Sequence, residues 1–156
     1  MTALPPSQAW LYVRNNSSFL VKRNGVQLTT EPGNVMNLNT FKYSGLANDK
    51  TIDINLGEDG KVVMGLKAPK RATKPKASVN KSPLHKNFRR VAKSIKTQTA
   101  GKFYRADLTA KALARWTALN RLTKVQAGTA KKAKTKTGRK GGAAADDEDG
   151  MPSLTA

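Results

Sequence analysis

The sequence predicts an α+β fold: a small antiparallel β-sheet domain at the N-terminus, two basic helices after it, and an extended, low-complexity tail. Three observations carry that prediction. Segments with period-two alternation, separated by glycine-containing turns, fill residues 1–66. Helical periodicity replaces that alternation over residues 82–125. From Gln126 to Gly150 there is no aromatic residue and only alanine as apolar content, too little to offset the entropy of ordering a chain.

The elements follow in order. Ser7–Arg14 carries Trp10, Leu11 and Val13 and reads as a short N-terminal helix capped by Ser7, with a first strand as the alternative. Ser18–Arg23 and Val26–Thr30 read as a hairpin, because Asn24-Gly25 between them tolerates the positive φ of a tight turn. Glu31-Pro32-Gly33-Asn34 is a second turn, and Phe41-Lys42-Tyr43 reads as a short strand. Thr51–Leu56 is the clearest strand: Ile52, Ile54 and Leu56 alternate with Thr51, Asp53 and Asn55. Gly57-Glu58-Asp59-Gly60 turns the chain, and Lys61–Lys67 returns with Val62, Met64 and Leu66 on one face.

Residues 67–81 interleave lysines and Arg71 with Pro69 and Pro75, the composition of an extended basic linker. Ser82-Pro83 then predicts a helix start, with serine at the N-cap and proline at the first helical position. In this helix Leu84, Phe88, Val91, Ala92 and Ile95 fall on one face, opposite a basic face. Thr97–Arg105 is a predicted loop. Asp107 can cap a second helix running to about Lys124, with an apolar stripe of Leu108, Ala112, Leu119 and Leu122, Trp116 on its flank and Arg115 inside it. Residues 126–156 form the low-complexity tail, basic and then acidic.

Charge divides the chain along the same lines. Of 156 residues, 29 are Lys or Arg and 10 are Asp or Glu, a formal net charge of +19. Residues 1–66 are near neutral, with 6 bases and 5 acids. Residues 67–140 hold 23 bases and one acid, Asp107. The last stretch carries Asp146, Asp147, Glu148 and Asp149 and no base. Such an excess repels itself unless a polyanion partners it. Nucleic acid is the commonest such partner, and an anionic membrane surface comes second.

Other chemistries find little support. With no cysteine there is no disulfide, thiolate zinc site, iron–sulfur cluster or cysteine nucleophile. No stretch approaches the ~20 apolar residues of a membrane span, and the first residues lack the pattern of a signal peptide, so an intracellular chain without membrane association is expected. The one histidine, His85, opens a basic segment with no carboxylate patterned to orient it, and reads as a surface or RNA-facing residue. Asp49, Asp53, Glu58 and Asp59 lack calcium-loop spacing and read as solvated carboxylates. No glycine-rich phosphate loop occurs. The sequence therefore predicts no enzyme, no metal, no cofactor and no small-molecule substrate.

The basic residues remain. On the predicted helix face they are Lys86, Arg89, Arg90, Lys93 and Lys96; in the linker they are Lys67, Lys70, Arg71, Lys74, Lys76 and Lys81. Lys102, Arg105, Arg121 and Lys124 continue the series, and Arg14, Lys22, Arg23 and Lys42 stand in the near-neutral part. Such side chains neutralise phosphates and release condensed counterions, and arginine adds a two-pronged fork. Tyr43, Phe103 and Tyr104 lie beside basic residues and could stack on unpaired bases, with core packing an equal alternative for each and Tyr104 the foremost stacking candidate. No zinc finger, RRM or KH signature appears, which favours recognition of shape and backbone over sequence.

The ordered motifs WLYVRNNSSFLVKRNG, TTEPGN, NTFKYSGLANDKTIDI and DGKVVMGLK, spanning about Trp10–Lys67, resemble the eukaryote-specific large-subunit ribosomal protein family numbered twenty-eight. Arg14, Lys22, Arg23 and Lys42 lie inside those motifs; Lys102–Leu108 agrees more loosely. The resemblance implies a component of the cytosolic ribosome, assembled by way of the nucleolus, that folds on large-subunit ribosomal RNA and neighbouring large-subunit proteins without catalysis. The acidic tip Asp146–Asp149 departs from the basic C-terminus of that family. Two alternatives are a nucleolar ribosome-assembly factor and a linker-histone-like chromatin protein. Relatives of the first kind carry cysteines and a long acidic region, and the second needs a winged helix that the N-terminal half does not resemble.

Overall fold

The computed structural model describes residues 4–57, 59–71, 74 and 77–131. Its α+β architecture consists of two small antiparallel sheets and three helices. Helix α1 (Pro6–Val13) starts one residue ahead of its predicted cap. Pro5 occupies the N-cap and Pro6 the first turn, where a missing N–H leaves nothing unsatisfied. Ser7 is therefore inside the helix and caps nothing. Strands β1 (Leu20–Arg23) and β2 (Val26–Thr29) form the expected hairpin, with Arg23 paired to Val26. Asn24 and Gly25 both take positive φ, 48° and 76°, as a two-residue hairpin turn of this hand requires.

The main sheet runs in the order β3-β4-β5, with β3 Ile52–Leu56, β4 Val62–Lys67 and β5 Val79–Pro83. The predicted alternation holds for Ile52, Ile54, Val62 and Met64, which are buried, but Leu56, expected on the same face, is 38 % exposed at the end of β3, and Thr51, expected on the other, is buried. Two expectations fail at β5. The basic linker of 67–81 ends in a strand, with a short 3-10 turn at Pro69–Arg71 on the way. Ser82-Pro83 does not open a helix; these residues pair with Met64 and Val63. Leu84 N–H donates to Val62 O at 2.8 Å and extends the ladder. Sheet pairing outweighs a local capping signal, and proline is tolerated there because β5 is an edge strand. Helix α2 (Phe88–Thr99) begins five residues later than predicted, with Asn87 at its N-cap. Phe41-Lys42-Tyr43 is a turn and not a strand, since Tyr43 and Ser44 N–H both donate to Thr40 O.

Asp107 does not cap the next helix either. It lies in a 3-10 turn, Ala106–Leu108, that leads into α3 (Thr109–Gln126), and its carboxylate is bound to Arg105. Helices α2 and α3 cover one face of the three-stranded sheet. One core joins Ile52, Ile54, Val62 and Met64 of the sheet to Val91, Ile95, Leu108, Ala112 and Trp116 of the helical segment. Trp116, expected on the flank of α3, is 2 % exposed, whereas Leu122, expected in the stripe, is 42 % exposed. Phe88 tilts onto the Trp116 ring with centroids 4.8 Å apart. Thr109 Oγ1 donates to Thr99 Oγ1 at 2.9 Å and links the two helices inside the core. The near-neutral and basic parts of the chain thus share one hydrophobic interior.

The long connection from β2 to β3 is held by side chains. Glu31, buried, accepts from Asn34 Nδ2 (3.0 Å), Ser44 Oγ (3.3 Å) and Gly45 N–H (3.1 Å). Gly45 lies so close to Pro32 O that a Cβ there has no room. The predicted turn at Glu31–Asn34 is thereby the hub of the connection. The predicted tail lies outside the described residues from residue 132 onward.

Candidate nucleic-acid interface

A helix covering a sheet must bury one face and leaves the other to solvent. In α2 the buried positions are Val91, Ile95 and Thr99. Arg89, Arg90, Lys93 and Lys96 point away from them and are exposed, and Lys86 in the preceding turn joins them. Between α2 and the end of β5 lies a groove of about 380 Å³. Lys86, Arg90 and Lys93 line one side and Ser82–Leu84 the other. Among the described residues no carboxylate forms an ion pair with any of these cations; the one ion pair within 4 Å joins Arg105 to Asp107. The sequence prediction of a basic face on α2 matches this arrangement, with its start corrected.

The other predicted cations fall in four settings. Arg14, Lys22, Arg23 and Lys42 are exposed around the N-terminal hairpin and the loop beside it. Lys70, Arg71 and Lys74 are exposed on the connection from β4 to β5, and Lys76 lies outside the described residues. Lys102, Arg121 and Lys124 are exposed, the last two near the C-terminal end of α3. Lys81 is exposed too, but strand alternation turns it from the α2 groove toward a second groove of about 510 Å³, shared with Asp53 and Asp59. There burial pushes the Asp53 carboxyl above its ordinary range, against the pull of a backbone bond from Gly33 and the charges of Arg115 and Lys81.

Three predicted contact residues prove to be internal braces. Lys67 Nζ donates to Gly45 O (3.2 Å) and Asn48 O (2.9 Å). The Tyr104 hydroxyl accepts from Thr51 N–H at 3.0 Å. Its own hydrogen faces Lys67 O at 2.6 Å, with Thr51 O at 3.1 Å. Burial raises the Tyr104 pKa above the ordinary phenol value, and its ring packs against the core. It is not an open stacking surface; of the two readings, core packing is the one this ring follows. Tyr43, the second stacking candidate, is likewise packed on the core. Arg105 donates to Lys50 O (3.1 Å), to Lys42 O (2.6 Å) and to both Asp107 oxygens (3.0 Å). That bidentate bond holds the Asp107 carboxyl below its usual value. Their packing removes these residues from the accessible set.

Arg115, noted in the sequence only as a charge in an apolar stripe, donates to Ile54 O (3.2 Å) and Asn55 Oδ1 (3.1 Å), on the edge strand β3. An arginine inside an apolar stripe was the signal for such a bond. Lys50 and Lys111, absent from the predicted set, are exposed; composition alone marks them. His85 is exposed. Among the described residues no group of three His, Cys, Asp or Glu side chains is placed to hold a metal ion, and no helix is long and apolar enough to cross a membrane.

Comparison with known proteins adds an independent line. The model of the ribosomal L28e protein family matches residues 8–122. The chain is 38 % identical over 107 residues to the large ribosomal subunit protein eL28 of Dictyostelium discoideum, covering 68 % of this chain and 79 % of that one. It is 36 % identical over 115 residues to the protein of that name from Schizosaccharomyces pombe, covering 70 % and 86 %. With the one from Caenorhabditis elegans it shares 36 % over 89 residues, covering 54 % and 70 %.

Proposed function

Because the chain belongs to the ribosomal L28e protein family, we propose that it is a structural constituent of the cytosolic large ribosomal subunit and binds large-subunit rRNA through the phosphate backbone. The observation that carries the RNA reading is the outer face of α2, where Lys86, Arg89, Arg90, Lys93 and Lys96 stand exposed with no carboxylate partner among the described residues. Each side chain that meets a phosphate releases condensed counterions, and arginine grips two phosphate oxygens at once. The groove between α2 and β5 supplies a concave seat with one basic wall, Lys86, Arg90 and Lys93. Contacts of this kind read the shape and charge of an RNA helix and leave its bases unread.

In this role the protein holds RNA and performs no chemistry on it. Its partners are large-subunit rRNA and neighbouring large-subunit proteins, with passage through the nucleolus during assembly. The test is sedimentation of the full chain in cell extract. Co-migration with large subunits at low and moderate salt is the expected result, and migration only as a free monomer overturns the proposal. Purified full-length protein should also bind fragments of large-subunit rRNA with log K falling as log salt rises, by roughly 0.7–0.9 per phosphate contact.

A further inference from the structure

We propose that Phe103, in the loop between α2 and α3, is a stacking platform for an unpaired RNA base. This rests on the RNA-binding reading above and gives it a second kind of contact.

Phe103 is 86 % exposed, more than any other large apolar side chain among the described residues. Two forces act against that placement. Exposure forfeits the benefit of removing an aromatic ring from water. The backbone is also in the left-handed region, with φ 51° at Phe103 and 52° at Arg105, a conformation that bulky residues rarely adopt and that persists only where the surroundings enforce it. Here they do. Phe103 N–H donates to Ala100 O and Tyr104 N–H to Thr99 O. The Tyr104 hydroxyl is anchored at Lys67 and Thr51, and Arg105 grips Lys42 O and Lys50 O. The loop is pinned on both sides of a ring that it holds in the open. Tyr104 turns inward from the same loop, which is why its neighbour turns outward.

Charge selects the occupant. The segments bonded to this loop carry Lys42, Lys50, Lys96 and Lys102, all exposed. The carboxylates nearby in the chain are Asp107, already paired with Arg105, and the exposed Asp49. A nucleotide offers both an aromatic face for the ring and a phosphate for the lysines. An apolar pocket on a protein would satisfy the ring alone. Stacking on aromatic side chains is also how proteins hold unpaired bases whose identity they do not read.

The experiment uses the full-length protein and two RNA probes: a fully paired hairpin, and the same hairpin with an unpaired adenine bulge. Phe103→Ala should weaken binding of the bulged hairpin by roughly 5- to 100-fold and leave the paired hairpin and the salt slope unchanged. Phe103→Leu should behave like Phe103→Ala, whereas Phe103→Trp should bind at least as well as the wild type. Thermal midpoints of all four proteins should agree, because the ring supports nothing in the fold. Wild-type affinity of Phe103→Ala for the bulged hairpin would overturn the proposal. So would wild-type affinity of Phe103→Leu, because base stacking requires an aromatic face. Failure of the wild-type protein to bind either hairpin overturns the RNA-binding reading itself. In intact large subunits, a photoreactive phenylalanine analogue at position 103 should form adducts with rRNA, and adducts to protein alone would assign the ring to a neighbouring protein.

Discussion

Arg90 and Arg105 carry the same charge within the same basic half of the chain, yet they do opposite things. Arg90 stands on the outer face of α2, lining an open groove beside Lys86 and Lys93. Arg105 is committed to two backbone carbonyls and a carboxylate of its own chain. The outer face of α2 and the loop after it therefore differ in available charge, not in charge. The difference teaches that a polyanion-binding surface is defined by which cations lack an internal partner. Count along the sequence gives only an upper limit.

The comparison can be broken or sharpened by substitution. The largest effect is expected at Ile54, which is fully buried between β4 and the helices. Ile54→Asp places an unpaired charge in the core that sheet and helices share, which costs several kcal/mol. Circular dichroism should show loss of helix together with loss of sheet. Retention of native helix content would mean that the two regions fold independently.

Next is the face itself. Replacing Lys86, Arg89, Arg90 and Lys93 together by Gln should lower RNA affinity and reduce the salt slope by as much as about 3.6, since each phosphate contact contributes about 0.7–0.9. Stability should move by less than about 1 kcal/mol, because these side chains are exposed and have no ion-pair partner among the described residues. An unchanged slope would reassign the RNA surface.

The loop should respond in the reverse sense. Tyr104→Phe removes the hydroxyl that serves Thr51 and Lys67, and should cost about 1–3 kcal/mol in urea denaturation with no change in salt slope. Its ionisation provides a second readout. The folded protein holds the phenol proton above the ordinary value of 10.0. Stability from this group is therefore complete below that value and is lost as pH rises through the folded pKa. Tyr104→Phe should remove that alkaline loss.

The smallest effect is expected at Asp107. Its carboxyl titrates below the ordinary 3.8 because Arg105 is bonded to it. The bond's contribution is present above that value and fades as pH falls through the lowered pKa. Solvent screening keeps it small, since the Asp107 side chain is 41 % exposed. A shallower acid limb of the stability–pH curve in Asp107→Asn is the measurable sign.

Much of the fold was legible because it depends on local pattern. The Asn24-Gly25 turn follows from the tolerance of that dipeptide for positive φ, and the alternation of Ile52, Ile54, Val62 and Met64 and the basic face of α2 follow from spacings of two and 3.6 residues. What failed was also local in form: Ser7, Ser82 and Asp107 each look like helix caps, and none acts as one. At Ser82 the pairing of β5 with β4 decides, and β4 lies some twenty residues away in the chain. Asp107 is taken by the guanidinium of Arg105.

The candidate interface divides in the same way. The sequence by itself determined that the chain is basic, that α2 has one apolar and one cationic face, and which family its motifs resemble. Only the tertiary structure decided which of those cations have an internal partner among the described residues. Lys67, Tyr104 and Arg105 look like their neighbours in the sequence, but hydrogen bonds to residues as far as 63 positions away occupy them. The same bonds reverse the choice of stacking residue, turning Tyr104 in and Phe103 out. Side-chain periodicity is set by the backbone it grows from, whereas a side chain's partner is set by what the rest of the chain brings to it.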